Sequence, residues 1–135
     1  MLSFRSSARI IIGIFSIIIV FHILVLLQII PYTIVWGGKL QSKEDMYRFE
    51  IVSTLLNMLM LLNVLFYTQI LKSNLKEKIF RYGLWVMFSL FVLNTIGNLF
   101  AENLIEKAIF TPLTFILAVL CLHLATHKKP KQSED

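Results

Sequence analysis

The sequence predicts an all-α membrane protein, a bundle of four transmembrane helices with both termini cytoplasmic. Three observations carry that expectation. Hydrophobic residues make up 57% of the 135-residue chain and charged residues 16%, with a mean hydropathy of +0.76, an apolar share above that of ordinary soluble domains. Four stretches approach the ~20 residues that a helix needs to cross about 30 Å of hydrocarbon, each bounded by charge and free of it inside. Lys and Arg gather in alternate connecting segments, as the preference of basic loops for the cytoplasm requires.

The first stretch has no charge between Ile10 and Pro31, and its expected helix is 9–31. Arg5 and Arg9 precede it in the manner of a secretory signal. Its apolar run exceeds the roughly 7–15 residues of a signal core, and no small-x-small cleavage site follows, so it reads as a retained anchor. The second stretch lies between Glu50 and Lys72. Ser42 followed by Asp45 is an N-cap signature that starts this helix before the apolar run, giving 43–71. The third, between Arg81 and Glu102, gives 79–101. The fourth, between Lys107 and Lys128, gives 104–127, with Asn103 and Glu106 as a capping pair and Pro112 removing one backbone hydrogen bond. Backbone groups facing lipid must be satisfied within their own segment, and the strand-length alternation of a barrel is absent, so helices are the solution.

Short connections make residues 1–127 one domain, followed by a charged cytoplasmic tail over 128–135. The outer loop, 32–42, contains a Gly37-Gly38 turn. Tyr32, Trp36 and Tyr47 suit headgroup depth there. The N-terminus (Arg5, Arg9), the segment between helices 2 and 3 (Lys72, Lys76, Lys78, Arg81) and the tail (Lys128, Lys129, Lys131) hold nine of the thirteen basic residues. On the other side Lys39, Lys43, Arg48 and Lys107 are offset by Glu44, Asp45, Glu50, Glu102 and Glu106. A multi-pass protein of the plasma membrane, the inner membrane in a bacterium, is the expected location.

The net charge of +5 thus reflects topology and anionic lipid headgroups, and nucleic acid is excluded as a partner. The single cysteine, Cys121, allows no disulfide within the chain and no Cys-x-x-Cys redox chemistry. No His-Glu-x-x-His, nucleophile elbow, phosphate loop or zinc-ligand pattern is present. His22, near mid-membrane, and His123, near the inner boundary, stand at different depths and make a poor metal pair. No metal and no cofactor is expected. Only five Gly occur, none in a Gly-x-x-x-Gly pair, so helix packing should rest on Leu, Ile, Phe and Met.

The informative residues are polar ones inside the spans. At 1.5 Å per residue, Asn57 lies about 10 Å below Glu50, Asn94 and Asn98 about 12 and 6 Å below Glu102, and Thr111 and Thr114 about 6 and 10 Å below Lys107. Spacings of three or four place Glu50-Thr54-Asn57, Asn94-Asn98-Glu102 and Lys107-Thr111-Thr114 each on one helix face. Such groups are costly against lipid, so the three stripes are expected to turn inward in the outer half of the bundle. The expected ligand-binding residues are therefore Glu50, Thr54, Asn57, Asn94, Asn98, Glu102, Thr111 and Thr114, with His22. Gln28 and Asn63 read as structural. The plainer reading is a set of cross-helix hydrogen bonds, each contributing about 0.6 kcal/mol.

Three functions fit this pattern. In the first, the polar layer is a cavity that binds or passes a small solute or lipid headgroup. In the second, the protein is an accessory or assembly factor whose outer loop holds a larger membrane partner. In the third, it is a lipid-modifying enzyme using outer carboxylates, although the catalytic signatures are too thin to assign an enzyme. Membrane lipids are the expected partners, with a second copy of the chain or a larger membrane protein. Small multidrug transporters have a similar size and helix count, but they carry a membrane-embedded carboxylate in the first helix, where this chain offers only His22.

Overall fold

The four apolar stretches fold into four helices in a computed structural model. It describes residues 3–32, 40, 42–68, 70, 75–100 and 104–127, without the side chains of 105 and 106. The helices are α1 (Phe4–Leu26), α2 (Lys43–Tyr67), α3 (Glu77–Leu99) and α4 (Leu104–Thr126). Each is long and apolar enough to cross a membrane, α4 over its Lys107–Thr126 portion. No strand occurs among the described residues. The Gly37-Gly38 turn, Trp36, the Asn103–Glu106 capping pair and the 128–135 tail lie outside the described residues.

Two serines start the first two helices. The Ser3 hydroxyl accepts from the Ser6 amide at 3.1 Å, and the Ser42 hydroxyl accepts from the Asp45 amide at 3.1 Å. Each satisfies one of the amides that a helix N-terminus leaves unpaired. The end of α1 departs from expectation. The helix spans Phe4–Leu26 rather than 9–31, because Gln28 takes a left-handed conformation with φ of 58°. The Ile29 amide then bonds Leu24 O at 3.0 Å and the Gln28 amide bonds Val25 O at 2.9 Å. These are the paired bonds of a Schellman motif. Without glycine the left-handed turn costs about 1 kcal/mol. Gln28 offsets that cost by donating its side-chain amide to Tyr47 Oη on α2 at 2.7 Å.

The chain runs up, down, up and down. α1 packs chiefly on α2 and α3 on α4, and contacts of α2 with α3 and of α1 with α4 close the ring. The start of α1 and the end of α4 therefore share one end, called proximal here, and the other end is distal. The main apolar core fills the proximal and middle levels. Phe80, Leu84, Met87 and Phe91 line α3 at alternating spacings of four and three, against Ile11 and Phe15 of α1 and Leu117, Cys121 and Leu124 of α4. That spacing keeps one face of a 3.6-residue helix toward its neighbours. The distal level has a smaller core of Val25 and Met46.

Polar contacts bind the proximal end together. A helix C-terminus leaves its last carbonyls without intrahelical donors. Here Tyr67 Oη of α2 donates to Leu124 O at 3.1 Å and Arg81 Nε of α3 donates to Ala125 O at 2.7 Å. Ser7 of α1 meets His123 Nδ1 at 3.0 Å. Helices α1, α2 and α3 thus all hold the end of α4. Asn63, read from the sequence as structural, also crosses between helices, donating to Phe80 O at 3.1 Å. Packing at this level is not only by large side chains: α3 presents Gly83 to the Asn63 carboxamide, and a Cβ there would stand 2.7 Å from Asn63 Cγ.

Candidate functional site

Buried ionisable groups meet at the distal level of the α1–α2 hairpin. Ile11, Phe15 and Ile19 mark the inward face of α1, and His22, three residues on, continues it. Met46, Glu50 and Thr54, spaced by four, are the buried residues of α2 at this level. The antiparallel hairpin sets these two series against each other. His22 Nδ1 stands 2.6 Å from Glu50 Oε2, with the Glu50 residue 0% exposed and the His22 side chain 13% exposed. At that separation one proton lies between ring and carboxyl, held by the imidazole nitrogen or by the acid. Thr54 donates to Glu50 O at 2.7 Å.

This pairing revises the depths expected from the sequence. Counting from Tyr32 put His22 near mid-membrane, and Glu50 stood at the outer rim. Because α1 stops at Leu26 and α2 starts at Lys43, His22 lies about 6 Å inside the end of its helix and Glu50 about 10 Å inside the start of its own. The two are level, and Glu50 is a core residue.

A second polar group sits on α3 and α4. Thr114, one of the buried polar residues, receives a hydrogen bond from Thr95 Oγ1 at 2.9 Å and one from Asn98 Nδ2 at 3.5 Å. It donates to Phe110 O at 2.7 Å. Thr111 Oγ1 is buried with no hydrogen-bond partner among the described residues, directly before Pro112, which supplies no amide to the carbonyl of Ala108.

Of the expected ligand-binding residues, the structure joins His22 to Glu50 and Asn98 to Thr114. Thr54 and Thr111 lie beside them. Asn57 is half-buried and turns to its own helix, donating to Ser53 O at 2.8 Å. Asn94 is exposed, so the inward stripe of α3 is not Asn94-Asn98-Glu102. It runs instead through Thr95 and Asn98, and Glu102 lies outside the described residues. The apolar series of α3 does not single out Thr95, since from Phe91 a step of three reaches Asn94 and a step of four reaches Thr95. Lys107 is half-buried at the start of α4.

The distal hydroxyls are held mainly by their own helices. Thr54 and Thr114 each donate to the carbonyl four residues earlier, which satisfies a buried hydroxyl without any partner from outside. The His22–Glu50 unit differs, because an ionisable pair inside an apolar bundle is costly to desolvate. Among the described residues, no group of three or more His, Cys, Asp or Glu is placed to hold a metal. Fold and site together define a multi-pass α-helical membrane protein with a buried acid–imidazole pair between its first two helices. No protein-family model, curated protein or solved structure matches the chain.

Proposed function

We propose that the protein binds or passes a small solute or lipid headgroup in the distal half of its bundle, with the His22–Glu50 pair as the recognition group. The observation that carries this reading is the fully buried carboxylate bonded at 2.6 Å to an imidazole within membrane-length helices. Replacing such a pair by apolar residues of similar volume is often neutral or stabilising, so stability alone gives weak reason for it. Ionisable residues inside membrane spans are functional sites by default. The Thr111 hydroxyl, without a partner among the described residues, adds a polar group at the same end of the bundle.

The reading includes an orientation. Arg5, Arg9, Lys76, Lys78 and Arg81 lie at the proximal end, which the preference of basic residues places in the cytoplasm. The distal site then lies in the outer half of the plasma membrane. The accessory reading is favoured by a different observation, the self-satisfied threonines, which need no cavity. A screen separates the two. Purified protein is heated with a panel of small solutes and with lipids of each headgroup class, beside a His22→Leu/Glu50→Met double variant. A compound that stabilises the wild type and not the double variant supports the proposal. Equal stabilisation of both, or of neither by any compound, overturns it in favour of the accessory role.

A further inference from the structure

The proximal end carries a pair of histidines, His123 in the last turn of α4 and His127 one residue beyond it. His123 and His127 are four residues apart, the spacing that places two side chains on one helix face, and their ring centroids stand 3.9 Å apart. Each ring uses the same nitrogen for the protein. His127 Nδ1 lies 3.1 Å from His123 O; a carbonyl only accepts, so this nitrogen carries the proton. His123 Nδ1 lies 3.0 Å from Ser7 Oγ. The Ser7 hydroxyl can accept as well as donate; in the tautomer where it accepts, Nδ1–H is donated on both rings and Nε2 of each neutral imidazole keeps its lone pair at the far end of the ring. That division of labour is the one found in metal-binding histidines, where the second nitrogen donates to an oxygen that fixes tautomer and orientation.

We propose that His123 and His127 chelate a divalent transition-metal ion through their two Nε2 atoms at the proximal face. Two nitrogens bonded to one ion at about 2.0–2.1 Å are separated by about 3 Å, within the reach of rings this close. Imidazole donors suit Cu2+, Ni2+ and Zn2+, with Cu2+ the tightest of the three. His127 is exposed and His123 half-buried, so the remaining coordination positions face solvent. Helix-end capping accounts for the Nδ1 contact of His127 and the cross-helix bond to Ser7 for that of His123, and neither engages Nε2 among the described residues. This site is separate from His22 and Glu50 and does not depend on the role proposed for them.

The test uses the full-length protein in detergent with its affinity tag removed, titrated with Cu2+ alone and followed by calorimetry and electron paramagnetic resonance. The expected result is one ion per chain, with a spectrum showing coordination by two nitrogens. His127→Ala should lose the two-nitrogen signature and weaken binding at least tenfold. Ser7→Ala should retain both nitrogens but weaken binding about tenfold, the scale of lost outer-shell partners. His127 is exposed, so its variant keeps the fold, which the melting profile verifies. Binding equal in the wild type and His127→Ala, a single-nitrogen spectrum, or no saturable binding overturns the proposal.

Discussion

Removing His22 alone from the His22–Glu50 pair should be far more damaging than removing both residues. His22→Leu leaves a fully buried carboxylate without its imidazole, and breaking a buried pair from one side costs about 3 kcal/mol or more. Glu50→Met leaves a neutral imidazole at 13% exposure, a loss of about 1 kcal/mol. The double variant replaces both by apolar groups and should fall within about 1 kcal/mol of the wild type. The resulting coupling is about 3 kcal/mol, against an average of about 0.6 kcal/mol for a hydrogen bond between membrane helices. Reversible unfolding of the four proteins in bicelles, by steric trapping, measures it. Additivity within about 0.5 kcal/mol would mean that the pair is two independent polar residues, and the argument for a recognition group at this position would fail.

Other perturbations probe the remaining features. Thr111→Val removes the buried hydroxyl that has no partner among the described residues and should leave stability unchanged or raise it by about 1 kcal/mol; a clear loss in the same unfolding assay would show that the hydroxyl has a partner. Tyr67→Phe takes the donor from Leu124 O and should cost about 1 kcal/mol, and full stability would remove the proximal end's role in anchoring α4. Gly83→Ala drives a Cβ into the Asn63 carboxamide and should cost about 1–3 kcal/mol, a defect that a second change, Asn63→Ala, relieves. Failure of that rescue would contradict the close approach of α2 and α3. Cys121 is free and fully buried, so a maleimide should label it only after denaturation; rapid labelling of the folded protein would place α4 differently.

The sequence by itself determined the membrane class and the number of helices, because both rest on additive local properties. A run of apolar residues between charges is costly in water and long enough for a bilayer wherever it sits in the fold. It also named His22, Glu50, Asn98 and Thr114, since any polar group in such a run stands out. The tertiary structure alone decided which of them meet. Depth counted from Tyr32 for His22, and with Glu50 taken as the rim, misplaced both residues, because α1 ends at a Schellman turn on Gln28, a conformation that no glycine announced. Face was equally undetermined: Asn98 shares a side with both Asn94 and Thr95, and only packing against α4 selects Thr95. The pairing of His123 with His127 follows from spacing, but the contact with Ser7, near the other end of the chain, comes only from closing the four-helix ring. Burial preferences belong to single residues and are written along the chain, whereas partners depend on where each helix stops and how it is rotated, which neighbouring helices impose.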